Sequence, residues 1–248
     1  MNANTLRISI AERQPAPVEG SLGVVDLLLR DRDAFHQHLD QATELTSIAR
    51  ALLLTVIAGC AVFGAAMGAY RGGLQLLFGA TKLPLVVLLT AGFCAPALTG
   101  LIRAVNAETR FVKDLLLVLS ALALGSMVLA ALAPVVILAE LAGFSYHKMI
   151  VLIVGCCLIG GGCGLALFVN GLRRRKTFGL GIVVPLSLAV FAMVGSQMAW
   201  TMRPFVLRPR TEEVPFIRSI EGGFFDSVQR SSDSARGIYH REEAPLPH

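Results

Sequence analysis

The sequence predicts an all-α fold, a polytopic membrane helical bundle of about five transmembrane helices preceded by a cytoplasmic N-terminal amphipathic helix. Of the 248 residues, 54% are hydrophobic and 16% are charged, a charged share well below that of soluble domains. The apolar residues also form blocks of about twenty or more positions without Asp, Glu, Lys or Arg, the length that a helix needs to cross a bilayer. Five such blocks follow one another along the chain.

The N-terminal region is predicted to lie outside the membrane. Residues 1–20 are polar and rich in turn formers, so we expect disorder there. They lack the features of a signal peptide, and the first span is therefore expected to act as an uncleaved insertion signal. Residues 21–46 are predicted to form the amphipathic helix, whose apolar face would lie on the membrane surface or on a partner. That face contains Leu28, Phe35, Leu39 and Ala42.

The five predicted spans cover residues 47–70, 83–105, 115–139, 149–172 and 177–202. The link at 71–82 has too few apolar residues to cross and is expected to rest at the interface. Pro96, Pro134 and Pro185 are expected to kink their helices, and the carbonyl that Pro96 frees needs a partner such as Thr99 or a water. Residues 203–248 are predicted to form a polar tail. A short surface helix is possible within it, because one helical face would carry the apolar residues Ile217, Ile220, Phe224, Phe225 and Val228.

Two spans carry small residues four positions apart, a spacing that lets helix backbones approach closely. These helix-packing residues are Cys60, Gly64 and Gly68 in the first span and Cys156, Gly160 and Gly164 in the fourth. We predict that the two helices face each other or that one of them packs against a partner subunit.

The basic residues of the short loops predict the orientation, because Lys and Arg are retained on the cytoplasmic side during insertion. The loops after the second and fourth spans hold seven of them and the opposite loops three. This count favours a cytoplasmic N-terminus and an extracytoplasmic tail, although Arg203, Arg208 and Arg210 favour the reverse. The basic cluster after the fourth span is predicted to fix the topology, with contact to anionic lipid headgroups as a secondary role. Its members are Arg173, Arg174, Arg175 and Lys176.

Side chains suited to chemistry are few. His36 and His38 lie beside Asp33 and Asp40, but His38 points away from the face that His36 and Asp40 share, so a solvated helix surface explains them better than a zinc site. The three cysteines of the fourth span lack both the C-x-x-C spacing and a basic neighbour that would stabilise a thiolate. Nucleotide-loop, zinc-protease and hydrolase motifs are absent from the sequence. We expect no catalytic residue, metal site, cofactor or nucleic-acid partner, and no enzymatic activity.

The functional expectation follows from the predicted spans, which place no Asp, Glu, Arg or His at membrane depth, where transporters hold such groups. We expect a non-enzymatic scaffold or accessory subunit of a membrane complex, whose partners are membrane lipids and either another protein or a second copy of the chain. The alternative is a small-solute carrier or channel that uses the proline-kinked spans. A membrane-embedded thiol enzyme ranks third.

Three stretches carry a family resemblance. LLLRDRDAF at 27–35, KLPLVVLLT at 82–90 with Cys94 and Pro96 after it, and Pro134 late in the third span are similar to an uncharacterised family of bacterial multi-span inner-membrane proteins. The overall plan also resembles Yip1-type proteins, which have a cytoplasmic N-terminal region and five spans. The resemblance covers architecture only and implies membrane trafficking or scaffolding. No functional residue is carried over from it.

Overall fold

The computed structural model describes residues 21–31, 34, 35, 37, 39, 45–105, 110–174, 179–202 and 205, and this part of the chain consists of helices and the turns between them, with no strand. The helices are α1 (Ser21–Arg30), α2 (Leu45–Ala69), α3 (Leu74–Val105), α4 (Phe111–Leu141), α5 (Tyr146–Arg174) and α6 (Leu180–Thr201). α2 to α6 are each long and apolar enough to cross a membrane. The predicted fold class is confirmed, and the protein is a multi-pass membrane protein.

Successive spans run in opposite directions, as contacts between neighbouring helices establish. Gly64 of α2 lies against Gly79 of α3, and Gly164 of α5 lies against Ala121 of α4. We call the end at which α2, α4 and α6 begin the proximal end, and the end at which they terminate the distal end. The cytoplasmic placement of the proximal end and the bacterial inner membrane stay predictions.

The bundle has a packed centre and a loosely attached edge. α2 packs against both α3 and α4, and α4 also packs against α5, whereas α6 packs mainly on α3 and touches α5 at a few points. Accordingly, 56% of the central apolar window is buried in α2 and in α4, but only 11% in α6. The exposed apolar side chains of α5 and α6 are those that a lipid-facing helix carries.

The apolar stripe of the N-terminal region is covered by the chain itself, which corrects the expectation of a membrane surface or a partner protein. Val24, Leu28, Phe35 and Leu39 are buried in one cluster with residues of α2 and α4 near the proximal end, including Leu52 and Leu116. The helix is also interrupted, because α1 ends at Arg30 and the Asp31 carboxylate accepts a hydrogen bond from the Ala34 N–H at 2.9 Å. Asp31 thus acts as an N-cap for the next turn.

The predicted start of the second span at Leu83 is too late, because α3 already begins at Leu74. The turn before it uses Gly72 and Gly73, whose φ angles are 76° and 61°, a left-handed conformation that glycine adopts without steric cost. The sequence predicts Lys82 in a link at the interface, because residues 71–82 contain too few apolar residues to cross the membrane. The structure instead continues the helix through Lys82.

The prolines lie inside continuous helices: Pro96 in α3, Pro134 in α4 and Pro185 in α6, each with an exposed ring. The Thr99 hydroxyl donates to the carbonyl of Ala95 at 3.2 Å. It therefore does not serve the Gly92 carbonyl that Pro96 leaves free, so Thr99 is not the expected partner, and a water at that carbonyl stays a prediction. The kinks themselves stay a prediction.

The contact of α1 with the bundle can be tested with two adjacent leucines, because Leu28 is 0% exposed and Leu29 is 51% exposed. Leu28→Ala should lower the free energy of unfolding in detergent by about 2–5 kcal/mol, since it opens a cavity in the proximal cluster. Leu29→Ala should change it by about 0.5 kcal/mol or less. Equal effects of the two substitutions would mean that α1 is not docked on α2 and α4.

Candidate functional site

One face of α3 buries polar side chains among apolar helices. Gln75, Gly79, Lys82 and Val86 are all buried, and their spacing of four, three and four residues places them on a single helical face. The side chains of Gln75 and Lys82 are 0% exposed. Lysine is almost never fully buried in proteins, and Asp114 near the start of α4 is the one other charged residue at 0% exposure among the described residues.

Direct backbone contact between α2 and α3 creates this face. A Cβ atom on Gly64 would collide with the carbonyl oxygen of Gly79, and one on Gly68 would collide with that of Gln75. Only glycine on α2 permits this approach, which is the close packing that small residues four apart allow. The first turns of α3 are thereby held against α2, and Lys82 follows one turn later.

The register of this contact gives the depth of Lys82. Gly64 opposite Gly79 and Gly68 opposite Gln75 place Lys82 level with Ala61 in the antiparallel pair. Ala61 is four residues from the middle of α2 (Leu45–Ala69), or about 6 Å along the axis at 1.5 Å per residue. The hydrocarbon layer extends about 15 Å to either side of its centre. With α2 centred in the bilayer, Lys82 lies well inside that layer.

One contact of Lys82 favours a cation, although burial of the side chain opposes its charge. Its Nζ lies 5.9 Å from the centroid of the Phe78 ring, within the range of cation–π attraction. A lysine near the centre of a membrane helix costs about 2.5–3.5 kcal/mol on the insertion scale. Such residues are therefore rare and mark functional sites in membrane proteins.

The same helix contacts α6 through a second set of polar atoms. The Cys94 thiol lies 4.0 Å from the carbonyl oxygen of Val190, and Thr90 lies beside Gly195. This register places Lys82 level with Met202, just past the end of α6 at Thr201, so that Lys82 lies deep in the bundle relative to α2 but at the distal end relative to α6. The Thr90 hydroxyl oxygen is buried and has no hydrogen-bond partner among the described residues.

The distal end above this face is closed by polar contacts. The side-chain amide of Gln75 donates from Nε2 to the carbonyl of Phe205 at 2.9 Å. Tyr70 donates from its hydroxyl to the carbonyl of Phe144 at 3.3 Å, which ties the end of α2 to the α4–α5 link. Glu140 lies beside the backbone N–H of Tyr70, and within the described part of the chain its buried Oε1 has no hydrogen-bond partner.

The predicted packing stripes contact other helices than expected. Gly64 and Gly68 face α3, whereas a Cβ on Gly164 would lie 2.5 Å from the Ala121 carbonyl of α4 and one on Gly160 would lie 3.0 Å from that of Gly125. The two stripes therefore do not face each other. Cys60 and Cys156 are buried free thiols on the same two helices.

The other predicted groups lie apart from this face. Arg173 and Arg174 are exposed at the proximal end of α5, whereas Arg175 and Lys176 lie outside the described residues. The positions of Asp33, His36, His38 and Asp40 are also outside them, as are the disordered region predicted at 1–20 and the tail apart from Phe205. Among the described residues, no three His, Cys, Asp or Glu side chains come together.

Comparisons of the chain with known proteins give no relative from which the site could be interpreted. No family model, curated protein or solved structure matches the chain. The resemblance to bacterial multi-span inner-membrane proteins and to Yip1-type proteins stays a prediction. The site is therefore interpreted from its own residues.

Sequence reasoning missed Lys82 and Gln75 although a signal was present. Gln75, Gly79 and Lys82 recur at four and three residues, the spacing of one helical face. Gly64 and Gly68 show the same four-residue step on the preceding span. Pairing the two patterns across the short turn at Gly72 and Gly73 would have extended the span back over Lys82.

The close contact of α2 and α3 predicts a strong effect of Gly64→Leu, because the added side chain must push the two backbones apart. We expect this variant to lose thermal stability in detergent and to elute as aggregate in size-exclusion chromatography. Gly100→Leu is the matched control on α3, since an added Cβ there meets no atom within 4 Å. If the two variants are equally stable, the Gly64 contact does not hold the bundle together.

Proposed function

We propose that the protein is a small-solute carrier or channel in which Lys82 lines the path. The observation that supports this proposal is the full burial of Lys82 on α3 at membrane depth. A charged group there costs free energy that packing alone does not require, because an apolar side chain would fill the same space. A lysine that contacts the solute explains why this cost is tolerated.

The weak attachment of α6 adds support, because transport requires an element that moves relative to the rest of the bundle. α6 packs mainly on α3, on the helix that carries Lys82. The Thr90 hydroxyl between these helices has no partner in the described part of the chain. Such a buried hydroxyl costs about 1–3 kcal/mol, which a polar solute passing between α3 and α6 would offset.

The sequence-based preference for a scaffold loses two of its arguments. It depended on the absence of ionisable groups at membrane depth, and Lys82 supplies one. It also depended on the soluble ends and the small-residue helix faces as partner-binding surfaces, but the apolar N-terminal stripe is buried against α2 and α4 and Gly64 and Gly160 pack within the bundle.

One observation still favours a non-enzymatic scaffold or accessory subunit as the second candidate. Gly155, Gly161 and Gly162 of α5 have nothing within 4 Å of an added Cβ, and Leu158 between them is 72% exposed. Glycine inside a helix costs about 1 kcal/mol relative to alanine. A second helix that approaches this bare backbone, from another protein or from a second copy, would explain the cost.

Transport is tested with purified protein in proteoliposomes and a panel of labelled anions, cations and neutral solutes. The wild type should carry at least one of them faster than empty liposomes do. Lys82→Met, which keeps an unbranched side chain one atom shorter but removes its charge, should reduce that flux about tenfold or more, by analogy with the loss of a charged binding contact. The matched control Lys148→Met changes an exposed lysine at the start of α5 and should leave the flux unchanged. Wild-type flux in Lys82→Met would refute the role of Lys82.

The scaffold candidate makes a different prediction about α5. Gly162→Leu should abolish any stoichiometric complex that native mass spectrometry detects in mild detergent, because the leucine would fill the surface that the partner helix needs. Gly92→Leu on α3 is the control, since that glycine is likewise exposed with no neighbour within 4 Å. A complex that survives Gly162→Leu would remove the support for this candidate.

A further inference from the structure

Lys82 is the only charged side chain in the middle of the described spans. The other charged residues of α2 to α6 lie in the first two or the last two turns of their helices. Among them are two carboxylates, Asp114 in the first turn of α4 and Glu140 in its last turn. The sign of the charge at membrane depth is therefore set by one lysine.

Neither of these carboxylates reaches Lys82. α2 and α4 run in the same direction with Gly59 against Ser126, so the level of Lys82 on α2 corresponds to position 128 of α4. Glu140 then lies about 18 Å from Lys82 along the axis and Asp114 about 21 Å in the other direction, at 1.5 Å per residue. Both separations are far beyond the contact distance of an ion pair.

A buried cation without a nearby carboxylate selects solutes by the sign of their charge. In the membrane interior, where the dielectric constant is low, Lys82 attracts an anion and repels a cation. Hydrogen bonds from its ammonium group to carbonyl or hydroxyl oxygens leave this charge in place. An anion beside it offsets the cost of burying the charge, and lysine or arginine lines anion-selective pores for the same reason.

The number of charges specifies the anion further. One lysine and an anion with a single negative charge form a neutral pair at membrane depth. An anion with two negative charges would leave one of them uncompensated there, at a cost in free energy that its hydration in water avoids. The path therefore favours monovalent anions over divalent ones.

A second polar contact lies deeper on the same helix. Thr90 follows Lys82 by eight residues, about 12 Å along the axis, and lies beside Gly195 of α6. Its buried hydroxyl has no hydrogen-bond partner within the described part of the chain. Because a hydroxyl donates a hydrogen bond, an anion that leaves Lys82 towards the proximal end finds a donor at Thr90.

We propose that the transported solute is a small anion with one negative charge, which binds to Lys82 and passes from it to the hydroxyl of Thr90. Lys82 supplies the selection by charge, and Thr90 supplies a neutral donor at greater depth. This inference rests on the proposed transport function, since it names the class of solute for the same path.

Selectivity is measured in proteoliposomes with labelled chloride, formate, sulfate and rubidium. The wild type should take up chloride or formate at least about tenfold faster than sulfate or rubidium, after subtraction of the uptake by empty liposomes, because only a monovalent anion neutralises Lys82. Uptake of rubidium, sulfate or a neutral solute without uptake of chloride or formate would overturn the anion class and leave the transport proposal standing.

The role of Thr90 is tested in the same assay. Thr90→Val replaces the hydroxyl by a methyl group and should lower the anion flux about tenfold, the effect of losing one hydrogen bond to a charged group. Thr81→Val is the matched control, because Thr81 is exposed on the same helix and its hydroxyl bonds to the Leu77 carbonyl at 2.9 Å. Equal flux in the two variants would remove Thr90 from the path.

Anion binding is measured separately from transport, by the melting temperature of the purified protein in detergent. Replacement of sodium gluconate, whose anion is bulky, by equimolar sodium chloride should raise the melting temperature by about 2–4 °C, because a bound ligand stabilises the folded state. The rise should disappear in Lys82→Met and persist in Lys148→Met. Each variant is compared with itself in the two salts, so a change in its basal stability does not affect the result.

The two measurements separate the two proposals. A chloride-dependent rise that requires Lys82, without flux of any solute, would keep the anion site and refute transport. The absence of both the rise and any uptake of chloride or formate would overturn the anion class.

Discussion

Direct contact between the backbones of α2 and α3 is the constraint on which the rest of the bundle depends. Gly64 and Gly68 leave no space for a side chain between the helices, and the turn that joins them needs two left-handed glycines at Gly72 and Gly73. The contact lengthens α3 beyond its apolar core and turns the face with Lys82 inward. Without it, the first turns of α3 would have been free to lie at the interface, with the lysine in water.

Glycines also allow α4 to pack closely against both α5 and α2. Gly164 lets α5 approach the Ala121 carbonyl of α4, and Gly59 of α2 lies against Ser126 of α4. α2 and α4 thus form a closely packed core to which α3 and α5 are each attached through glycines. α6 is packed less closely: a Cβ on Gly195 would lie 3.6 Å from the Thr90 methyl, an ordinary contact, so α6 is the helix least tightly joined to this core.

The success of the fold prediction and the failure at α3 have the same origin. Five apolar blocks identify five spans because the bilayer imposes a minimum length of apolar helix, and each block overlaps one observed helix. The same reasoning excludes residues 71–82 from the spans because too few of them are apolar, so Lys82 falls in a link and the predicted spans lack an ionisable group. The functional interpretation shifted from scaffold towards carrier because one boundary moved by nine residues, from Leu83 to Leu74.

The sequence by itself determined the class of the protein, the number of its spans and the small-residue spacing of α2 and α5, because these depend on local composition and on the properties of the bilayer. Only the tertiary structure decided which helix each glycine stripe contacts, what covers Leu28 and Phe35, and that Gln75 and Lys82 are buried. It also revealed the hydrogen bond from Gln75 to the carbonyl of Phe205. Such features arise from contacts between residues far apart in the chain, and helical periodicity specifies which face a residue occupies but not which neighbour meets that face.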